Sequence, residues 1–198
     1  MAKPRRHPLI LASASERRRR ILAELGVEFR VVVTQAEEEE GAVPPDTACR
    51  VNALRKCEAC RARHPDSGIV AADTVIEFEG RAMHKPADLA EAFRFFRALS
   101  GRTHRVLTAT ALFSPNTNRT ETRTDISRVT FQTLGDEQIG AYFRHVNPLD
   151  KAGGYDIGQH ADLIIESFEG SATNIEGLPV ETVRPWLVRE GWLVPNGA

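Results

Sequence analysis

Residues able to bind an anion are concentrated near the start of the chain, where two serines precede four arginines at positions 17–20. They follow an apolar segment, residues 9–12, which predicts a buried strand. Ser13 and Glu16 have the spacing of a helix-capping box, so the pattern predicts a helix over residues 14–25 that begins with the arginines. A helix N-terminus carries a partial positive charge, so arginines are unfavourable there unless an anion binds. The segment therefore indicates either a phosphate site or a solvated basic face.

Asp73 is the second candidate, because it is predicted to lie in mid-strand: the apolar residues 69–72 run directly into it, and residues 75–78 resume the β pattern. A lone charge is costly to bury, so a carboxylate in such a position must be paired, bound to a metal or exposed in a cleft. Thr74 follows it and adds a hydroxyl group. The alternative is an aspartate on an edge strand that faces water.

Other charged side chains could join these residues. Lys56 lies in a predicted helix capped by Asp46 or Thr47, and Lys85 follows a predicted turn. A run of glutamates at positions 37–40 indicates a solvated turn, or a loop that directs one glutamate toward a metal or a substrate amine. Cationic or hydroxyl donors for an oligophosphate are then Ser13, Arg17, Arg18, Lys56 and Lys85. With a carboxylate that orients a metal ion or accepts a proton from water, such donors are what hydrolysis of a phosphoanhydride requires.

The cysteines favour a structural role over a metal or redox centre. Cys57 and Cys60 have the C-x-x-C spacing of such centres, but no second pair accompanies them. Together with Cys49 they fall on one narrow arc of the predicted helix, as small buried hydrophobic residues do. We therefore expect three buried thiols and no disulfide framework.

The composition is that of an ordinary soluble globular protein. The 198 residues include 26 Lys and Arg against 27 Asp and Glu, which gives a formal net charge of −1. A nearly neutral chain is not expected to coat nucleic acid, so any anion site must be local. The apolar stretch near the N-terminus is too short for a signal peptide, and no segment has the length of a membrane span. We expect a cytoplasmic protein without nucleic-acid or membrane partners.

The order of the predicted elements favours an α/β fold with a mixed, twisted sheet and flanking helices. Strands and helices alternate in the first half of the chain, whereas a hairpin of residues 105–113 and 120–131 occupies the middle. Alternation and a hairpin together predict a mixed rather than a purely parallel sheet. No linker or internal repeat divides the chain, so we expect one domain over residues 1–198, with room for two lobes.

Six short motifs carry a resemblance to a known family. They are LASASERR at 11–18, ADTV at 72–75, Lys85-Pro86, LSGRTH at 99–104, DKAGGY at 150–155 and GLP at 177–179. In this order and spacing they resemble the Maf proteins, nucleoside triphosphate pyrophosphatases first described as septum formation inhibitors. The resemblance covers about residues 9–188, which is nearly the whole chain.

The resemblance implies an inosine-triphosphatase-like α/β fold with the ligand in a cleft between two lobes, and commonly a homodimer. It implies hydrolysis between the α and β phosphates with a divalent cation, usually Mg²⁺. Asp73 matches the family's proton acceptor on the metal side, and Glu38 is a weaker match to an acidic metal-side residue. Arg17 and Thr74 match positions tied to base specificity. The phosphate-binding positions match Ser13, Arg17, Arg18, Lys56 and Lys85, and leave Arg19 and Arg20 to solvent.

The chain departs from the family pattern at two places. Glu16 replaces the usual proline, and both residues suit the first helical turn. The pyrimidine-preferring branch has a glutamine tied to base selection where this chain has Gly158, and Gln159 stands one position later. Thr74 and Lys151 still favour the dTTP/UTP branch over the 7-methyl-GTP branch. The alternatives are the same hydrolysis on other modified or purine nucleotides, or a non-catalytic nucleotide-binding regulator of cell division.

Overall fold

A mixed sheet forms the centre of the computed structural model, which describes residues 7–39 and 43–195. Its strands are β1 (Leu9–Leu11), β2 (Arg30–Val31), β3 (Gly68–Phe78), β4 (Arg81–Met83), β5 (Thr103–Ser114), β6 (Arg119–Phe131) and β7 (Ile165–Glu169). They lie in the order β2-β1-β3-β5-β6-β7, and β4 pairs with β3 outside this path. β1 is parallel to β2 and β3, and the remaining pairs are antiparallel. The predicted α/β fold with a mixed sheet is confirmed.

β3 runs without interruption through the two polar residues in its middle. Asp73 and Thr74 pair with Ala109 and Thr108 of β5. Polar side chains leave the backbone N–H and C=O groups free to pair, so they do not end a strand when a polar environment receives them. The predicted mid-strand position of Asp73 is therefore confirmed.

One edge of β3 is only partly covered, and this leaves a gap in the sheet. β5 pairs along nearly the whole of β3, so β1 and β4 share its other edge. β1 pairs with residues 68–70 and β4 with residues 76–78. Between them, residues 71–75 have no strand partner on that edge in the described part of the chain. Asp73 and Thr74 lie in the middle of this gap.

The described part of the chain contains the helices α1 (Glu16–Glu24), α2 (Pro45–Arg61), α3 (Leu89–Leu99), α4 (Asp136–Phe143), α5 (Ala172–Glu176) and α6 (Val180–Arg189). α1 starts later than predicted, because its N-cap is Ser15, whose hydroxyl accepts a hydrogen bond from the Arg18 N–H at 3.4 Å. The capping box predicted from Ser13 is therefore wrong. α2 starts at Pro45, before either predicted cap, because proline suits the first helical position. None of the described helices combines the length and apolar composition needed to cross a bilayer.

Three clusters of buried side chains pack the helices on the sheet, and β3 contributes to each of them. Ile76 belongs to the cluster formed with α3 and α4, which is built around Phe96. Val70 belongs to the cluster with α1 and α6, and Ile69 to the cluster with α2. Because its apolar side chains are buried on both faces, β3 holds the backbone around Asp73 in place.

The three cysteines are free and buried in the cluster with α2, as predicted. Burial raises the pKa of Cys49 and of Cys57 to about 12, so both remain thiols at neutral pH. The thiol of Cys49 donates a hydrogen bond to the backbone carbonyl of Asp73 at 3.1 Å. Cys49 therefore binds the backbone of β3 at Asp73, and all three cysteines pack in the cluster between α2 and the sheet.

Gly68, the first residue of β3, lies directly against the indole of Trp192. A Cβ atom on Gly68 would stand 2.2 Å from Cη2 of that ring. The indole cannot move away freely, since its Nε1 donates to the carbonyl of His7 at 2.8 Å and its ring stacks on Trp186 with centroids 5.1 Å apart. A side chain at position 68 would therefore displace the segment that follows α6.

We predict that Gly68→Ala lowers the free energy of unfolding by about 1–3 kcal/mol, because overpacking forces a packed ring out of place. Urea unfolding followed by tryptophan emission measures this change. Gly140→Ala is the matched control, since its Cβ would lie 3.8 Å from Phe93, an ordinary contact. Inside α4 that change should raise the stability by about 0.5–1 kcal/mol. Equal stability of Gly68→Ala and the parent would contradict the packing described.

Candidate active site

The gap beside β3 opens into a cleft of about 1260 Å³. It is bordered on one side by β1 and α1, and on the other by β4 and the segment that follows it. The predicted site residues that line it are Ser13, Arg17, Arg18, Glu38, Lys56, Asp73, Thr74, Lys85 and Gln159. Gly158 is not among the lining residues. The predicted cleft is therefore present, and it collects the motifs from distant parts of the chain.

The Asp73 carboxylate is buried at the base of the cleft and paired through both oxygens. Its Oδ1 accepts a hydrogen bond from Lys56 Nζ at 2.7 Å, and its Oδ2 accepts one from Asn52 Nδ2 at 3.3 Å. Both donors lie on α2, one helical turn apart. The sequence leaves open whether Asp73 is paired, bound to a metal or exposed in a cleft. The structure shows it paired with Lys56 and Asn52 in the cleft. The edge-strand alternative is wrong, because β3 lies inside the sheet.

Lys56 joins Asp73 to a second carboxylate. Its Nζ lies 2.7 Å from Oε1 of Glu38 and 2.7 Å from Oδ1 of Asp73. The two carboxylates therefore share one ammonium group. Burial acts to raise the pKa of Glu38, but the hydrogen bond and charge of Lys56 outweigh it, so the pKa is lowered. Glu38 and Glu39 both line the cleft, and of the two Glu38 is the one that pairs with Lys56. Glu40, the last of that run, lies outside the described residues.

The two carboxylates fit the predicted divalent cation in the kind of donor they offer. Mg²⁺ is usually bound through one or two carboxylates, with water and substrate phosphates completing its shell. Asp73 and Glu38 are such donors and lie close together. Among the described residues no group of three or more His, Cys, Asp or Glu side chains is placed to hold a metal. A cation held by these two carboxylates would complete its shell with water and substrate phosphates.

Arg18 is held at the floor of the cleft by three neutral oxygens. Its guanidinium donates to the Gly177 carbonyl at 2.7 Å, to Thr74 Oγ1 at 2.9 Å and to Ser13 Oγ at 3.3 Å. Desolvation lowers the pKa of Arg18, which the charge of Asp73 partly opposes. Gly177 has φ +104°, and a Cβ there would lie 3.0 Å from the Thr74 hydroxyl. Glycine at this position is what allows α5 to approach Arg18.

Arg17 lies at the other end of the cleft, where it pairs with a carboxylate that the sequence does not single out. Its Nη1 is 3.3 Å from Oδ2 of Asp156, which is 3% exposed. The same oxygen accepts from Gln159 Nε2 at 3.2 Å, and Oδ1 accepts from the Gly158 N–H at 2.9 Å. Gln159 therefore faces the cleft while Gly158 does not, and Asp156 holds Arg17 and Gln159 together.

The remaining predicted cations differ in their partners. Arg19 is exposed and pairs with Glu16, as expected of a solvated arginine. Arg20 is half exposed, but it also pairs with Glu176, whose side chain lines the cleft. Lys85 is exposed at the cleft, and within the described residues no hydrogen bond or ion pair engages its ammonium group. Arg20 is therefore not left to solvent alone, and Lys85 is a cation available to a ligand.

The sequence reasoning missed Asn52 and the role of Asp156. Asn52 stands four residues before Lys56, so a helical spacing on α2 predicts that both side chains share one face. Asp156 follows the DKAGGY motif directly and lies two residues before Gly158, but no pattern in the sequence assigns it a role. A search for polar residues at helical spacing from a candidate lysine would have found the first of them.

A buried histidine supports the wall of the cleft that Tyr155 lines. His104 Nε2 and the Tyr155 hydroxyl lie 2.8 Å apart, and the two rings meet edge to face with centroids 5.4 Å apart. His104 is 2% exposed, and its Nδ1 has no hydrogen-bond partner among the described residues. Burial lowers the pKa of His104 to about 4, so the folded protein holds this ring neutral.

We predict that His104 makes stability fall on acidification. Its pKa is about 4 when folded against an ordinary 6.5, so the unfolded chain binds more protons between these values and the free energy of unfolding rises with pH there. From pH 7 to 4.5 the histidine should account for a loss of about 2 kcal/mol. Urea unfolding at both pH values measures it, with His104→Gln as the control that lacks the titrating ring. An equal pH dependence in parent and variant would rule this effect out.

An α/β fold whose cleft collects arginines, lysines and two carboxylates defines a class of protein that binds a phosphorylated ligand beside an acidic centre. Within that class the chain belongs to the Maf-like protein family, whose model matches residues 8–190. The resemblance carried by the six motifs is thus confirmed over nearly the whole chain.

Relatives across bacteria and archaea share much of this sequence. The chain is 42% identical over 177 residues to the dTTP/UTP pyrophosphatase of Akkermansia muciniphila, covering 89% of this chain and 93% of that protein. It is 42% identical over 177 residues to the protein of that name from Deinococcus radiodurans, with 88% and 89% covered. It is 38% identical over 182 residues to the one from Thermococcus gammatolerans, with 92% and 95% covered. Among solved structures, the Staphylococcus aureus Ham1 protein matches 64% of this chain and 72% of its own, with a TM-score of 0.48 and 14% identity.

Proposed function

We propose that this protein is a nucleoside triphosphate pyrophosphatase that hydrolyses dTTP and UTP to the nucleoside monophosphate and pyrophosphate. The observation that carries the proposal is Lys56 paired with both Asp73 and Glu38 in a cleft that also contains Arg18 and Lys85. This arrangement brings a proton acceptor and cations for an oligophosphate to one place. Relatives 38–42% identical to the chain that are named dTTP/UTP pyrophosphatase support the choice of nucleotide.

In the proposed reaction a water molecule attacks the α-phosphorus, the bond to the bridging oxygen breaks, and pyrophosphate leaves with that oxygen. Asp73 orients the water and takes its proton. Arg17, Arg18 and Lys85, with Lys56, offset the negative charge of the transition state and of the departing pyrophosphate. Ser13 supplies a hydroxyl beside Arg18 for a phosphate oxygen.

The reaction is proposed to need a divalent cation, Mg²⁺, held by Asp73 and Glu38. When bound, such a cation neutralises phosphate charge and lowers the pKa of a coordinated water. A free aspartate has a pKa of about 3.9 and is a weak base, so this assistance is part of the proposal.

The base-selecting end of the cleft is proposed to lie around Arg17, Thr74 and Gln159. Gln159 lines the cleft and shares Asp156 with Arg17, so it offers an amide where the pyrimidine branch has its glutamine one position earlier. Gly158 in that earlier position favours the second candidate, the same hydrolysis on modified or purine nucleotides. A nucleotide panel separates the two.

We also propose that the protein acts in the cytoplasm as a homodimer, without nucleic-acid partners. The family resemblance supports the dimer, and the near-neutral charge of −1 supports the absence of nucleic-acid binding. Light scattering coupled to size exclusion tests the oligomeric state.

The function is tested by pyrophosphate release from a panel of ordinary and modified nucleoside triphosphates, with Mg²⁺ and with EDTA. We expect release from dTTP and UTP above the other nucleotides, and none after chelation. Metal-dependent nucleotide binding without release would instead identify a binding protein, and no release from any nucleotide would overturn the enzyme proposal.

We predict that Asp73→Asn lowers kcat by at least about 10²-fold, because a general base contributes 10² to 10⁴. Steady-state pyrophosphate release measures the loss, and circular dichroism confirms that the variant is folded. A variant that keeps more than about a tenth of the parent rate would exclude Asp73 as the proton acceptor.

We predict that Lys85→Ala lowers kcat/KM for the nucleotide by about 10- to 100-fold, since a hydrogen bond between charged groups contributes about 1.5–3 kcal/mol. The melting temperature should not change, because the lysine is exposed and makes no ion pair with another described residue. Arg81→Ala is the matched control, an exposed cation on β4 that is not a lining residue of the cleft. Equal losses in the two variants would show that only general surface charge matters.

A further inference from the structure

Asn52 has no part in the motifs or in the proposed reaction, yet its amide contacts the acidic centre of the cleft. It lies on α2 and is 4% exposed. Its Nδ2 donates to Oδ2 of Asp73 at 3.3 Å, on the carboxylate oxygen that Lys56 does not contact. The two oxygens of Asp73 are therefore bound by two donors from one helix, which fixes the plane of the carboxylate.

The same amide also binds the backbone of the loop that carries Glu38. Asn52 Oδ1 accepts from the Glu39 N–H at 2.6 Å, and Nδ2 donates to the Glu39 carbonyl at 3.3 Å. The Glu39 carbonyl and the Asp73 carboxylate only accept hydrogen bonds, so the NH₂ group must face both of them. The orientation of the amide thus follows from its partners.

These contacts couple two parts of the cleft that are far apart in sequence. Glu39 is the neighbour of Glu38, so an amide that fixes the Glu39 backbone also sets where the Glu38 side chain begins. Arg55 also holds this loop, since it donates to the Glu37 carbonyl at 3.2 Å and to Glu39 Oε2 at 3.5 Å. It does not contact Asp73. Lys56 also contacts both the loop and Asp73, but it engages the loop through the Glu38 side chain, whereas Asn52 binds the loop backbone.

We propose that Asn52 is a positioning residue that orients the Asp73 carboxylate and fixes the Glu38 loop relative to it. The inference rests on the proposed pyrophosphatase function, in which Asp73 takes the proton of water. Its role is exerted through Asp73, so its loss should change the rate of the chemical step and leave the binding of nucleotide little affected.

The test compares Asn52→Ala and Asn52→Asp with Arg55→Ala. In both Asn52 variants kcat should fall about tenfold or more, because small displacements of a reacting group cost at least this much. KM, and the Kd of an α,β-methylene nucleotide analogue measured by calorimetry, should stay within about threefold of the parent. Arg55→Ala should keep kcat within about threefold, since it removes contacts to the Glu37 carbonyl and the Glu39 side chain but none to Asp73. Asn52→Asp keeps the side-chain size and the acceptor for the Glu39 N–H but loses the donor to Asp73. It therefore provides the kcat measurement if Asn52→Ala does not fold.

Amide hydrogen exchange gives a readout that does not need turnover. The Glu39 N–H should exchange about tenfold faster or more in Asn52→Ala, and at the parent rate in Arg55→Ala, because only the first change removes its acceptor. Unchanged kcat in the folded Asn52 variants, together with unchanged exchange in Asn52→Ala, would overturn the proposal, as would an equal loss of kcat in Arg55→Ala. If the parent releases no pyrophosphate at all, the proposed function fails, and the exchange measurement alone decides whether Asn52 fixes the loop.

Discussion

The site depends on one buried ion pair, formed by Asp73 on β3 and Lys56 on α2 at 2.7 Å. The side chains are only 11% and 15% exposed, so neither charge could be held there alone without a large desolvation cost. Pairing them ties α2 to the middle of the sheet, and the small remaining exposure opens onto the cleft. The same contact therefore stabilises the docking of a helix and leaves a carboxylate within reach of a ligand.

A gap in the sheet leaves this pair open to the cleft. β1 and β4 are both short, and they cover only residues 68–70 and 76–78 of one edge of β3. Side chains alternate along a strand, so Asp73 points to the face that α2 covers and Thr74 to the face where Arg18 and Gly177 lie. Two consecutive residues of one strand thus supply the acidic centre to one wall of the cleft and a hydroxyl to the other.

Local patterns in the sequence predict much of this arrangement. The apolar residues that flank Asp73 indicate a charged group in an unusual place, and the mixed sheet follows from the hairpin after alternating elements. The contacts made by side chains across long sequence distances could not be predicted. Nothing in the neighbourhood of Asn52 shows that its amide meets Asp73, and nothing beside Arg17 shows that Asp156 receives it, because both contacts depend on how α2 and the segment after residue 150 dock. Ser15 rather than Ser13 caps α1, and the Ser13 hydroxyl instead accepts from the Ser15 N–H and the Arg18 side chain.

The charges in the cleft are arranged so that most cations are already neutralised. Arg17 pairs with Asp156, and Lys56 is shared by Asp73 and Glu38. Arg18 differs, because its partners are neutral oxygens, and Lys85 makes no ion pair with a described residue. The cleft therefore offers a triphosphate two cations without an ion-pair partner, Arg18 at its floor and Lys85 on the side of β4. Phosphate oxygens would have to compete with carboxylates for the paired cations Arg17 and Lys56.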